Sequence, residues 1–359
     1  MQKVILIFLI FLSSTLYGQN NPSYIDTLFY GKNGLKNKMP EIGVSIGVFQ
    51  DGKTNFYAFG NTSHTSKQKI DRNTVFEIGS NTKLFTALLL AIEIKKNKIP
   101  ESAFIDAYLP KEVILKPDLK NRIRLTSLAS YSSGLPTLHD DKFDSVLLAK
   151  DSLQPYRIVD KKYLYHILNH TDHAPDYGKY AYSNFNYGLL GATLENFTKK
   201  NYTDLLQQNI FNPLGFRNTW TVNVRSTNKA GGYYEHKEVG YLQLNALKSA
   251  GVIKSDAVDM LNFIKNQLHP PNNIIGKAML LTQQTFVDGV DIKTGLGWHI
   301  LTNEKNETSY VMQGDTIGNS SLFYFDKKTN TGIVILINES NHDLTAVLLD
   351  YLTKKMRVQ

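Results

Sequence analysis

Three serines in this chain stand three residues before a lysine: Ser66 with Lys69, Ser80 with Lys83, and Ser226 with Lys229. On a helix, that spacing puts an amine within one turn of a hydroxyl, which is a nucleophile with a proton acceptor beside it. Context separates the three. Ser66 lies in the polar stretch 62–69 and Ser226 in 225–232, and neither begins an apolar helix. Ser80 follows Phe76-Glu77-Ile78-Gly79 and opens the apolar run Leu84 to Ile94. A helix N-terminus there also supplies unpaired N–H groups and positive potential for an oxyanion. The plainer reading of Ser80 is an N-cap.

Two further segments carry matching chemistry. Tyr182-Ser183-Asn184 is the single Y-x-N among 20 tyrosines, in a turn before the helical run Tyr187 to Leu194. A phenol beside a lysine ammonium loses its proton below its ordinary pKa of about 10, so it can take and return a serine proton. Asn184 can donate a hydrogen bond to a substrate amide carbonyl. Taken singly, these are an ordinary tyrosine and a turn asparagine. The run Gln313-Gly314-Asp315-Thr316-Ile317-Gly318-Asn319-Ser320-Ser321 leads into the strand Leu322 to Phe325. A strand edge opened by Gly314 offers an N–H to an oxyanion and lets a substrate approach closely. Otherwise it is a glycine-rich turn between two strands.

Two other motifs point elsewhere. Gly43-Val44-Ser45-Ile46-Gly47 matches G-x-S-x-G, but that nucleophile elbow requires strand, turn and then helix. Here the chain runs on through Val48 and Phe49 to Asp51-Gly52, a hairpin signal, so Ser45 belongs inside a strand. His166, His170 and His173 have helical spacing without the glutamate of H-E-x-x-H, so they read as surface or helix-end residues.

The elements that must position these groups follow from patterning. Ile42 to Gln50 and Asn55 to Gly60 form a hairpin across Asp51-Gly52, and Leu84 to Ile94 is a buried helix. The middle, from about Pro100 to Leu247, mixes short helical patterns with turn clusters. Strand signals return at Gly295 to Leu301, Ser320 to Phe325 and Gly332 to Ile337. His342 to Met356 closes the chain as an amphipathic helix with Leu344, Leu348 and Leu352 on one stripe. The expectation is an α+β fold: an antiparallel sheet flanked by helices, built from both chain ends, with a mostly helical inserted lobe. The boundaries are a signal peptide at 1–18 and one domain at 19–359. Within it, the sheet lobe is about 19–95 and 245–359 and the helical lobe about 96–244. A cleft between the two is the natural place for a site.

At 42% hydrophobic and 20% charged residues, the 359-residue chain is globular rather than disordered or coiled coil. Lys3, the apolar run Val4 to Leu12 and small Gly18 pattern as an export signal too short to span a bilayer. The expected location is therefore periplasmic or secreted, with no stable membrane insertion after cleavage. The absence of cysteine excludes disulfides and a thiolate nucleophile. The formal charge of +8 is dispersed, without a basic run or interleaved aromatics, so nucleic acid is not an expected partner.

In this order and context, the pieces resemble the serine β-lactamase and penicillin-binding protein family, in its class C-like branch. Phe76-Glu77-Ile78-Gly79-Ser80-Asn81-Thr82-Lys83 resembles the first box, and Leu128 to Pro136 is similar to the turn that follows it. Tyr182-Ser183-Asn184 with Tyr187 to Gly191 resembles the tyrosine box and its helix, and Gly295-Leu296-Gly297-Trp298 the strand entering the third box. The likeness spans about Glu41 to the final helix. It implies an acyl-enzyme serine hydrolase with Ser80, Lys83 and Tyr182 as catalytic residues. Asn184, Gly314, Asp315 and Thr316 would bind substrate, with an oxyanion hole from the N–H groups of Ser80 and Asp315. It implies no metal and no cofactor. The substrate would be a small molecule or peptide, such as a β-lactam or a peptidoglycan-derived compound. One departure stands out: where the third box usually carries a lysine or histidine, this chain has Met312. A thioether cannot pair with a substrate carboxylate, and Asp315 adds negative charge. The rival readings are an esterase or D-amino-acid peptidase of the same fold, and a non-catalytic envelope binding protein.

Overall fold

Asp51 and Gly52 both hold positive φ, +48° and +81°, the backbone of a two-residue hairpin turn that lets twisted strands pair. They join β1 (Val44–Gln50) to β2 (Lys53–Phe59), as the Asp-Gly signal predicts. The computed structural model describes residues 24–137, 153–290, 292–303 and 305–356, and the signal segment 1–18 lies outside them. Contacts divide the chain into two units, 1–40 and 41–359. In the first, α1 (Tyr24–Tyr30) and α2 (Leu35–Lys38) are joined by a turn in which Gly34 N–H donates to the Gly31 carbonyl.

The second unit is built on an eight-stranded antiparallel sheet. β3 (Phe76–Glu77) and β6 (Lys254–Ser255) form a separate short pair, and β4 (Gly232–Tyr234) and β5 (Lys237–Val239) another. The large sheet takes β7 (Val287–Asp288), β8 (Lys293–Thr294), β9 (His299–Thr302), β10 (Thr308–Asp315), β11 (Ser320–Asp326) and β12 (Thr331–Ile337). Its order is β2-β1-β12-β11-β10-β9-β8-β7, so the first strands pair with the last, Val44 opposite Ile337. The α+β architecture is as expected: one antiparallel sheet drawn from both ends of the chain.

Every residue of β11 and β12 is buried, which requires cover on both faces. One face is packed by a helix at Ala257–Leu268, the other by the terminal helix at His342–Met356. In chain order the helices of this unit are α3 (Thr82–Lys95), α4 (Leu125–Ala129), α5 (Lys161–Asn169), α6 (Asn184–Thr198) and α7 (Tyr202–Leu206), followed by α8 (Lys248–Gly251), α9 (Ala257–Leu268), α10 (Ile274–Thr282) and α11 (His342–Met356). All of α3 from Thr82 to Ile94 is buried, so this helix runs through the interior and packs on α4, α6, α8 and α10. On α11, Leu348 and Leu352 are buried while Leu344 is half-buried.

Two strand expectations shift. The run Gly295 to Leu301 becomes a strand only from His299, because Gly297 adopts φ +84° and Gly295 N–H closes a turn onto the Trp298 carbonyl. That conformation suits glycine. Conversely, β10 extends back from Asp315 to Thr308, through a stretch with no clear sequence alternation.

Candidate active site

Ser80 sits in a single 3-10 turn, Gly79–Asn81, which feeds directly into α3. The helical spacing holds: the Lys83 Nζ lies 2.9 Å from Ser80 Oγ and donates to the Ala250 carbonyl at 3.0 Å. From the loop just before α6, the Tyr182 hydroxyl donates to Ser80 Oγ at 2.6 Å. Lys83 Nζ also lies 4.7 Å from the Tyr182 ring centre. A lysine one turn away and a tyrosine 102 residues away thus meet on one oxygen.

Electrostatics sets their protonation. Lys83 is fully buried, and burial alone holds its ammonium well below the ordinary lysine range, because an ion stripped of water prefers the neutral form. Burial also raises the Tyr182 phenol above its ordinary value; the hydrogen bond to Ser80 pulls the other way, while neighbouring Tyr180 and the Asp315 carboxylate add to the rise. This reverses the sequence expectation of a tyrosine made acidic by its lysine: desolvation pulls the lysine down and pushes the phenol up.

The other side of the site is the end of β10. A Cβ on Gly79, which has φ +49°, would fall 2.6 Å from the Asp315 carbonyl oxygen, and one on Gly314 would fall 2.9 Å from the Ser80 nitrogen. Glycine at both positions is what lets the two backbones pass this closely. Ser321 on β11 ties the junction: its hydroxyl accepts from Asn81 Nδ2 at 2.7 Å and donates to the Ile78 carbonyl at 2.8 Å. The Ser80 N–H is therefore held beside the β10 terminus, where backbone donors can face a developing oxyanion.

A cavity of about 510 Å³ opens above Ser80, bordered by Tyr182, Asn184, Asp315, Thr316 and Met312. All the predicted site residues except Lys83 and Gly314 line it, and those two lie directly behind its floor. Thr316 is only partly available, since its hydroxyl already accepts from the N–H groups of Gly318 and Asn319. Met312 is buried, with its sulfur 3.9 Å from the Tyr131 hydroxyl.

Sequence reasoning missed several contributors. His299, in the strand beside β10, faces the cavity with Nε2 at 3.0 Å from the Tyr180 hydroxyl. Burial, reinforced by Lys83, pushes its pKa down to about 4, so it is a neutral imidazole. His342, at the start of α11, places Nδ1 2.7 Å from Asp315 Oδ2 at the cavity mouth. Glu77, two per cent exposed, accepts from the Leu242 N–H at 3.0 Å and lies 3.9 Å from Lys254 Nζ. Burial raises its carboxyl, while Lys254 and the Thr316 hydroxyl favour the charged form. Glu77 thereby links Leu242 and Thr316, two rims of the cavity. Its place in the first box was its one sequence signal; the histidines had none.

The rejected motifs fall outside the site. Ser45 is buried within β1, its hydroxyl on the Asp71 carbonyl at 3.1 Å. His166 and His170 pack ring to ring, tilted at 39°, at the end of α5, with His170 Nδ1 2.8 Å from the His166 carbonyl. Among the described residues, no group of three His, Cys, Asp or Glu side chains could hold a metal, and no helix is long and apolar enough to cross a membrane.

Comparison with known proteins identifies the family. A beta-lactamase of Escherichia coli is 28% identical over 281 residues, covering 76% of this chain and 70% of the relative. The crystal structure of a class C beta-lactamase from Rhodobacter sphaeroides superposes with a TM-score of 0.75 at 22% identity, covering 90% of this chain and 97% of that one. A beta-lactamase/D-alanine carboxypeptidase from Pseudomonas syringae gives 0.75 at 21% identity, covering 88% and 94%. At such identities the structural likeness is one of fold. The Beta-lactamase family model, however, matches residues 35–354, nearly the whole chain, and with it this chain belongs to the beta-lactamase family of serine hydrolases.

Proposed function

We propose that this protein is an exported hydrolase that acylates Ser80 and releases the acyl group to water, acting on the amide or ester bond of a β-lactam or related substrate. The observation that carries this reading is the convergence of Lys83 Nζ and Tyr182 Oη on Ser80 Oγ, at 2.9 and 2.6 Å, on the floor of the cavity. In the forward step Ser80 Oγ bonds to the substrate carbonyl carbon and its proton passes to the neutral Lys83 amine. Tyr182 gives its proton to the leaving atom as the carbonyl–heteroatom bond breaks, and Lys83 reprotonates Tyr182. Water then enters by the reverse sequence and returns a proton to Ser80. The N–H groups of Ser80 and Asp315 receive the oxyanion, and Asn184 holds the substrate. Export is supported by the sequence of the first 18 residues.

A second reading, an esterase or D-amino-acid peptidase, is favoured by one feature: Met312 occupies the third-box position and brings no charge to bind a carboxylate. The carboxypeptidase activity in the name of the Pseudomonas syringae neighbour is in keeping with it. Incubation with a fluorophosphonate and a fluorescent penicillin, followed by intact-mass measurement, tests the common core of both. One adduct is expected on the wild-type chain and none on Ser80→Ala, which should unfold at nearly the same temperature. Labelling of Ser80→Ala at the wild-type rate would refute the nucleophile. A wild-type chain inert to both reagents and to ester substrates would leave the binding-protein reading.

A further inference from the structure

The cavity above Ser80 has an unusual charge balance. Among the described residues that line it there is no lysine or arginine, and its carboxylate is Asp315, the residue directly after Gly314. The basic side chains nearby are buried or already engaged by a neighbour. Lys83 is buried beneath Ser80, where desolvation disfavours its ammonium, and His299 is a neutral imidazole. His342 lies against Asp315, so the pair carries a formal charge of minus one with a neutral ring and zero with a protonated one. In neither state does this pair, the charged group among the described lining residues, present net positive charge.

Asp315 is also fixed in place. The Ser320 hydroxyl donates to its Oδ1 at 2.5 Å, and His342 Nδ1 sits 2.7 Å from its Oδ2. A carboxylate has about four lone-pair sites, so each oxygen retains room for another donor. About a third of the side chain's surface is exposed, which leaves it reachable from the cavity. It stands close enough to the reacting groups for its charge to raise the Tyr182 phenol, behind burial and Tyr180. Phenol-bearing side chains, Tyr156 and Tyr182, border the same space and provide surfaces that tolerate a cation.

We propose that this site selects substrates with a positive charge near the scissile carbonyl, an ammonium held at Asp315, and disfavours those with a carboxylate there. The proposal rests on Ser80 being the acylated nucleophile, and narrows that reading to a substrate class. An ammonium a few ångströms from an incompletely solvated carboxylate should gain about tenfold in kcat/KM over a neutral isostere.

The test compares matched substrates. Acetylthiocholine, 3,3-dimethylbutyl thioacetate and S-acetyl-3-mercaptopropionate carry a cation, no charge and an anion on the leaving group, and all are read by thiol release. Nitrophenyl 6-aminohexanoate and nitrophenyl hexanoate place the difference on the acyl side. In at least one series the cationic member should lead and, among the thioesters, the anionic member should trail. Asp315→Asn should bring the cationic-to-neutral ratio to within about twofold of unity, and His342→Ala should raise it by freeing the carboxylate. A ratio near or below one in both series, or a ratio unchanged by Asp315→Asn, would overturn the proposal. If the asparagine variant does not fold, His342→Ala decides, and a fall in its ratio counts against the idea. Fluorophosphonate labelling runs alongside. Labelled Ser80 with no charge order discards the substrate class and keeps the hydrolase, whereas an unlabelled, inert wild-type chain discards the hydrolase reading itself.

Discussion

In the proposed mechanism, the direction of proton flow at Ser80 follows from the opposite effects of burial on its two neighbours. Lys83 has no exposed surface, and the cost of keeping an ammonium there favours the amine, whose lone pair the proposed mechanism uses to accept the serine proton. Tyr182 is pushed the other way and stays a donor. The rate should therefore depend on pH in a specific manner. On a neutral ester, kcat/KM should rise as Lys83 deprotonates, at a pH below the ordinary lysine value of about 10.4. It should then stay level past pH 10, because the phenol keeps its proton. An acid limb lying above pH 10 would return the base role to Tyr182. Lys83→Met should cost about 10²–10⁴ in kcat/KM while leaving the melting temperature unchanged or slightly higher, since an apolar side chain suits a dry site.

The elements fix how closely two backbones can meet. The 3-10 turn at Ser80 and the end of β10 touch through Gly79 and Gly314, and Ser321 of β11 bridges Asn81 and Ile78 across that contact. The sequence suggested a glycine-opened strand edge at Gly314, and the edge is there. What it could not suggest is the partner, because a bridge between residues 78 and 321 exists only when β10 and β11 lie beside the start of α3. Ser321→Ala should strip the buried Asn81 amide of this partner, while the Ile78 carbonyl keeps the Asn81 N–H at 3.1 Å, and lower stability by about 1–3 kcal/mol, read as a denaturant midpoint shift at constant slope. An unchanged midpoint would mean that neighbouring groups relax to fill the gap.

At the scale of the molecule, β1 must find β12 across almost the whole chain before the sheet has a centre. Closing so long a loop is entropically costly, and pairing of this kind is slow relative to local helix formation. Stability should be highest where strands are covered on both faces and lowest at the edges. Hydrogen-exchange mass spectrometry should find the amides of β1, β11 and β12 slowest, with β2 at one edge and β7 and β8 at the other exchanging first. Equal protection of β7 and β12 would contradict a sheet centred on the paired chain ends.

The sequence by itself determined what depends on local pattern. Asp51-Gly52 made the first hairpin, the apolar run after Ser80 made the buried helix, and the 15-residue stripe from His342 made the last one. It also placed Lys83 one turn from Ser80, because helical spacing is a property of consecutive residues. Tertiary structure decided everything that depends on which surfaces meet. It turned Gly295 to Gly297 from strand into turn, where the backbone of Leu84 presses against Gly297. It brought His299 and His342, silent in the sequence, to the cavity that Met312 and Asp315 border. And it lowered the pKa of Lys83, because desolvation belongs to the packed interior and has no signature along the chain.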